Sequence, residues 1–423
     1  GPPPTPKPLP PPPPPRGEEG GEATAAKAAD EDEGEDGEPA APGAASSEEV
    51  VIPLPDDTAD WYYGEPRQQP PGRCCLPRVP KTSSQSFWHI IQEHCAQTMA
   101  GHLLVNGLRE DSARRHWSKE FHDGHVERNR ICPRTTVRMM IFRDPIWHYR
   151  SMKSMLNVAP AYFLDLIKQH RPEARRSSTQ LARLWQMQRG SPEGYDPCKF
   201  RSATPPDPPQ NATPEELACL YPEIFASPQT RYLLGYPFSE TTAFLKDCPV
   251  PRQVDRLSEG TSAGMSTVKR LYGREGKRAT FSRQQWERRI VHALLDLDFF
   301  AIVDDYDKSL IMLQDYMRWS IPAFDKVLHK SDTGHPGEHN GHESVEPIRE
   351  KVRQMNYWDD FLYTKAKEIF HLRWQRFLRQ GKESWANKTY RCQDPGDACS
   401  NVEDAMCHVK CVLRSSTGED RGD

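Results

Sequence analysis

Arg78-Val79-Pro80-Lys81-Thr82-Ser83-Ser84-Gln85-Ser86-Phe87 sets a lysine, four hydroxyls and a chain reversal between two apolar segments. Upstream, Cys74-Cys75-Leu76-Pro77-Arg78-Val79 is a short, mostly apolar run of strand length. Downstream, Phe87, Ile90, Ile91 and Cys95 recur at helical spacing, so the predicted order is strand, loop, helix. A helix start leaves backbone N–H groups unpaired and carries a partial positive charge. A phosphate placed there would be held by amides, hydroxyls and the lysine together. The Gly-x-x-x-x-Gly-Lys pattern of nucleotide triphosphatases is absent. Spacing alone leaves two readings open: an anion cradle, or a surface lysine beside a Ser/Thr helix cap.

A second stretch bears on that choice. Val137-Arg138-Met139-Met140-Ile141-Phe142 reads as a buried strand and runs directly into Arg143-Asp144-Pro145-Ile146-Trp147-His148-Tyr149-Arg150-Ser151. Lys81-Thr82-Ser83-Ser84 after one strand, then Arg143-Asp144-Pro145 after another with Ser151 eight residues on, resembles the two cofactor loops of the sulfotransferases. In that superfamily the first loop grips the 5′-phosphosulfate of 3′-phosphoadenosine 5′-phosphosulfate (PAPS). The Arg/Ser pair grips the 3′-phosphate.

The rest of the composition frames this reading. In a chain of 423 residues, 36% hydrophobic residues and 10 Trp are enough for a large core. Residues 1–72 differ: they carry the proline run Pro10 to Pro15, seven acidic residues from Asp30 to Glu38 and few aromatics before Trp61, and are expected to be a disordered stem. They hold 16 acidic and 4 basic residues, which leaves 44 acidic and 52 basic residues, a net +8, for residues 73–423. A basic remainder suits an anionic nucleotide and an anionic acceptor, or is simply a solvated surface. No apolar run approaches the roughly 20 residues that span a bilayer. A Pro/Gly/acidic stem ahead of a globular domain is what a type II Golgi protein would show, with its membrane anchor preceding Gly1. Eleven cysteines, with Cys392, Cys399, Cys407 and Cys411 crowded at the C-terminus, read as a small disulfide knot, and the odd count leaves at least one thiol unpaired. Asn211-Ala212-Thr213 and Asn387-Lys388-Thr389 are glycosylation sequons, the first weakened by Pro214. Together these favour a secretory lumen.

A helix over residues 86–100 is predicted to lie back on the sheet, followed by a polar, irregular segment over 102–136. Within it Phe121-His122-Asp123-Gly124-His125-Val126 places two histidines about a glycine turn. Arg78-Val79-Pro80-Lys81-Thr82 followed by Gly124-His125-Val126 resembles the uronic acid 2-O-sulfotransferases of glycosaminoglycans, in which the histidine before Val is the catalytic base. The resemblance implies His125 as base. Asp123 stands where that family has a further histidine, a departure that bears on the acceptor. Two other readings of His125 remain: a loop histidine bonded to backbone, or a ligand with His122, for which no third ligand of recognisable spacing follows.

Residues 145–170 read as a helical region packed through Met152, Met155, Leu156, Phe163, Leu164 and Ile167, and residues 190–215 as a surface excursion facing the acceptor. The basic segment from Val268 to Arg278 resembles the sulfotransferase segment that closes over the 3′ side of the nucleotide, and reads equally as a solvated linker. Phe299-Phe300-Ala301-Ile302-Val303 reads as a third buried strand, with Ser309, Leu310, Leu313, Met317 and Trp319 on a following helix. With Asp304-Asp305-Tyr306-Asp307, this part resembles the galactose 3-O-sulfotransferases. A single long helical pattern runs over residues 345–379.

The expectation is thus an α/β fold with a mostly parallel central sheet and flanking helices, P-loop-like in the sulfotransferase manner. It is divided into a stem (1–72), a sulfotransferase domain (73–385) and a Cys-rich tail (386–423). The resemblance implies PAPS as cosubstrate with no metal. It assigns Lys81 to the departing bridging oxygen, and Arg78, Thr82, Ser83, Ser84, Gln85 and Ser86 to the 5′-phosphate loop. Arg143 and Ser151 would bind the 3′-phosphate. The implied partner is a glycan acceptor on a glycosaminoglycan, glycolipid or glycoprotein, not a nucleic acid, and a homo-oligomer is compatible. Two other classes stand beside it: a nucleotide kinase or phosphatase using the same cradle, and a non-catalytic glycan-binding protein.

Overall fold

A computed structural model describes residues 73–79, 82, 84–95, 97–102, 137–158, 198, 212–236, 238–250, 271–272, 280–329, 345–394 and 406–415. The chain divides into Gly1–Val51 and Ile52–Asp423, and every described residue belongs to the second unit. The expected stem, the histidine turn around His125 and most of the 268–278 segment lie outside the described residues.

The first strand β1 (Arg73–Arg78) is followed by helix α1 (Ser84–His94) and strand β2 (Gln97–His102). β2 lies parallel to β1, with Arg73 beside Gln97 and Arg78 beside His102. The helix expected to continue to Ala100 therefore stops at His94, and its last stretch is an edge strand. The reason is covalent as well as local: Cys95, just past the helix, is disulfide-bonded to Cys74 in β1, which ties the helix end back to the sheet. β3 (Val137–Phe142) occupies the other side of β1, and β4 (Phe299–Ile302) lies beyond it, both parallel. The strand order is β2-β1-β3-β4. β3 and β4 are apolar along almost their whole length, as strands covered on both faces must be.

Side-chain alternation identifies the two covers. Phe299 stacks on Phe87 of α1 (6.4 Å) and on Tyr316 of α8 (Tyr306–Met317; 6.2 Å). Its neighbour Phe300 points to the opposite face, where the Arg373 guanidinium of α10 (Tyr357–Arg379) lies 4.7 Å over its ring. The sheet is thus sandwiched between α1 and α8 on one face and α10 on the other.

α2 (Pro145–Val158) follows β3. Four short helices come next: α3 (Pro214–Leu220), α4 (Pro222–Phe225), α5 (Pro228–Leu233) and α6 (Thr241–Asp247). α3 starts at a capping box in which Thr213 and Glu216 bond each other's backbone N–H groups. α7 (Arg283–Leu295) starts the same way through Ser282 and Gln285. Trp286 of α7 and Trp358 of α10, both fully buried, meet edge to face at 6.4 Å and join this helical layer to the sheet cover. α9 (Val345–Met355) and α10 replace the single helix expected over 345–379. The break falls at Asn356, whose amide donates to Val352 and accepts from the Ser227 N–H 129 residues away.

The C-terminal strands β6 (Lys388–Cys392) and β7 (Met406–Ser415) form an antiparallel sheet with β5 (Ala323–His329), in the order β5-β7-β6. Disulfide Cys392–Cys411 joins directly opposed residues of β6 and β7, and Cys407 is disulfide-bonded as well. Cys198–Cys219 is a further bridge, while Cys248 is a buried free thiol. Such bonds persist in an oxidising, secreted or lumenal compartment. No helix among the described residues is long and apolar enough to cross a membrane.

Candidate functional site

The strand order carries the functional argument. The chain leaves β2 on one side of β1 and re-enters at β3 on the other, so the order reverses between β1 and β3. In open parallel sheets, connections on either side of such a reversal run in opposite directions and leave a crevice at the carboxyl ends of the strands. The β1–β3 register pairs Cys74 with Val137 and Cys75 with Arg138. Continued forward, it sets Arg78, the last residue of β1, beside Ile141, one residue before the end of β3. The β3–β4 register ends with Phe142 beside Ile302. The chain therefore leaves β1, β3 and β4 at one edge of the sheet, the first two side by side at the reversal.

The first loop is closed by its own side chain. Thr82, fully buried, donates its hydroxyl proton to the Val79 carbonyl at 2.8 Å, so it braces the turn. Ser86 is also buried, on the first turn of α1. Arg78 closes β1, and Ser84 and Gln85 open α1. Lys81, Ser83 and His125 lie outside the described residues.

In the second loop, Asp144 is the N-cap of α2. Its carboxylate accepts the N–H groups of Ile146 (2.8 Å) and Trp147 (3.3 Å), with Pro145 at the first helical position, where an N–H would have no partner anyway. This occupies amides that a phosphate would otherwise take, so anion binding by this loop falls to side chains. Arg143 is half-buried at the end of β3, and Ser151 is half-buried further along α2. Between them Trp147 is 49% exposed, and the Arg150 guanidinium lies 5.1 Å over its ring.

Carboxylates also occupy this edge, and each has a partner. Asp304 accepts a hydrogen bond from Tyr363 of α10, and Asp305 pairs with Lys308 at 2.6 Å. Burial pushes the Tyr363 hydroxyl up, with the bond to Asp304 and the charges of Asp304, Asp144 and Asp305 adding to it. Burial likewise raises Asp360, against the nearby Arg353 cation. Among the described residues no group of three His, Cys, Asp or Glu side chains is placed to hold a metal ion.

Sequence reasoning missed one part of this region. Gln229, 1% exposed at the start of α5, grips both backbone groups of Arg143: its Oε1 accepts the Arg143 N–H and its Nε2 donates to the Arg143 carbonyl, each at 2.9 Å. Beneath it, Asp359 of α10 accepts the N–H groups of Gln229 (3.1 Å) and Thr230 (2.7 Å). The available signal was a carboxylate within an apolar helical stripe, where Asp359 shares a face with Leu362, Tyr363 and Ala366. Burial raises Asp359 to about 6, opposed by the Thr230 and Gln229 hydrogen bonds and the Arg231 charge.

Compared with protein families, with curated proteins and with solved structures, this chain has no match.

Proposed function

We propose that the chain is a PAPS-dependent carbohydrate O-sulfotransferase with a P-loop-like active edge, acting in the Golgi lumen. The observation that supports this reading is that the strands preceding the Lys81 and Arg143 motifs, β1 and β3, are parallel neighbours at the reversal of the strand order, in the sequence order that resembles the two cofactor loops. The acceptor favoured is the 2-hydroxyl of a glycosaminoglycan uronic acid, because the matching motifs fall on the residues assigned to chemistry. A second acceptor, the 3-hydroxyl of a terminal galactose on glycolipid or glycoprotein, is favoured by β4, its acidic turn Val303–Asp305 and α8, the segment that resembles that family.

Sulfuryl transfer asks for in-line positioning and charge stabilisation more than covalent chemistry. In this reading His125 takes the proton from the acceptor hydroxyl as the acceptor O–S bond forms. A histidine with an ordinary pKa of about 6.5 is mostly neutral at pH 7, which the role requires. Lys81 neutralises the charge left on the bridging oxygen as the S–O bond to the nucleotide breaks. Arg78, Ser83, Ser84, Gln85 and Ser86 serve the 5′-phosphate side, on a turn braced by Thr82. Arg143 and Ser151 hold the 3′-phosphate, Arg143 through the planar fork that lysine lacks. The test is transfer of labelled sulfate from PAPS to a panel of desulfated heparan, desulfated dermatan and galactosyl lipid. Labelled uronic acid supports the first acceptor and labelled galactose the second. Labelling of no acceptor, with PAPS intact, overturns the reading.

A further inference from the structure

We infer that Gln229 is a positioning residue for Arg143, held in place by Asp359 of α10 and by Asn356 at the break before it, and that this buried relay sets how well the site discriminates nucleotides bearing a 3′-phosphate. The inference rests on the anion-binding role proposed above for Arg143.

Arg143 is the first residue beyond β3, where the sheet ladder ends, and Asp144 after it is committed to capping α2. The backbone between them is the pivot from which the Arg143 side chain leaves the sheet. A primary amide presents one donor and one acceptor side by side, and Gln229 uses both on that single residue. Two bonds to one peptide backbone restrict rotation about φ and ψ as one bond cannot.

The support beneath Gln229 is built to the same end. Ser227 stands at φ 46° in the left-handed region, a strained conformation for a non-glycine residue that persists only where its surroundings impose it. They do so here. The Ser227 N–H donates to Asn356 at 3.0 Å, its hydroxyl pairs with Tyr272 at 3.0 Å, and Tyr272 donates in turn to the Met355 carbonyl. Asp359 then takes the next free amides, those of Gln229 and Thr230. Pro228, between Ser227 and Gln229, has no amide N–H to offer. The strained turn, the proline and the acceptors Asn356 and Asp359 thus place a single side chain, Gln229, against the backbone of Arg143. Satisfying two buried backbone groups would by itself stabilise the fold; fixing the direction of Arg143 would also change what the site binds.

The experiment is calorimetric titration of the full chain with adenosine 3′,5′-bisphosphate and with adenosine 5′-phosphate. The variants are Gln229→Met, Arg143→Ala and the double variant, with thermal unfolding measured on each. Tyr390→Phe, in the antiparallel sheet, controls for lost stability alone. The expected result is a loss of about tenfold or more for the bisphosphate in Gln229→Met. Binding of the 5′-phosphate should be unchanged, and Gln229→Met should cause no further loss when Arg143 is already alanine. Equal losses for both ligands, additive losses in the double variant, or no loss would overturn the positioning role while leaving the sulfotransferase reading standing. Failure of the wild type to bind the bisphosphate would overturn both. If Gln229→Met does not fold, Gln229→Glu, which keeps the acceptor and removes the donor, is read by the same criteria.

Discussion

The two sheets solve opposite problems. In the parallel sheet, strands covered by helices on both faces end at one edge, and the polar residues there belong to loops. In the antiparallel sheet, the polar groups that face α8 bond one another. Tyr390 donates to the Ile321 carbonyl (2.7 Å) and accepts from Gln314 (2.8 Å), while Gln314 accepts the Ile321 N–H (2.9 Å). Asp307 accepts from both Thr389 and the Tyr390 N–H, and Cys392–Cys411 cross-links the strand pair. α8 links the two, its Tyr306 reaching Phe87 on one side and Phe324 on the other. Chemistry is therefore expected at the parallel edge and stability from the antiparallel brace, and variants in the two places should fail in different ways.

The largest expected effect is at the parallel edge. Lys81→Ala and His125→Ala should each lower sulfate transfer by about 10²–10³ with thermal unfolding unchanged; an equal loss of unfolding temperature would assign these residues to the fold. In the brace, replacing Cys392 and Cys411 together by serine should destabilise by about 2–5 kcal/mol, read by denaturant unfolding, with nucleotide affinity retained in the folded fraction. Tyr390→Phe, which strands partners on Gln314 and Ile321, should cost about 1–3 kcal/mol in the same measurement and leave transfer intact.

A smaller effect is expected at the buried Asp359 of α10. With Asp359 raised by burial to about 6, the folded chain binds more protons than the unfolded chain between roughly pH 4 and pH 6. Its contribution to stability therefore falls as pH rises through that window. Relative to Asp359→Asn, the wild type should gain about 1 kcal/mol on going from pH 7 to pH 5, seen as a pH-dependent gap between their unfolding temperatures. The smallest effect is expected at the α10 surface, where Lys365→Ala breaks the exposed pair with Glu368 (2.8 Å) and should change stability by less than about 0.5 kcal/mol.

Much of the parallel sheet was legible because its signals are local. Val137–Phe142 and Phe299–Ile302 are unbroken apolar runs, and the helical spacing of Phe87, Ile90 and Ile91 marks α1. β2 was not legible: Gln97-Thr98-Met99-Ala100-Gly101-His102 has neither alternation nor β-branched enrichment, and pairing with β1 and the Cys74–Cys95 bridge decide its state. The break at Asn356 was hidden for a similar reason, since its amide bonds a residue 129 positions away. At the candidate site, the loops could be read as motifs, and Asp144 turned out to cap α2. Gln229 could not be read, because a clamp on another residue's backbone depends on the fold and leaves no spacing of its own.

The most direct measurement is amide hydrogen exchange on the full chain with and without adenosine 3′,5′-bisphosphate. Added protection should concentrate in residues 78–94 and 143–158, the segments leaving β1 and β3, with the β5-β7-β6 sheet unaffected. Protection confined to other segments, or none at saturating ligand, would contradict the proposed site.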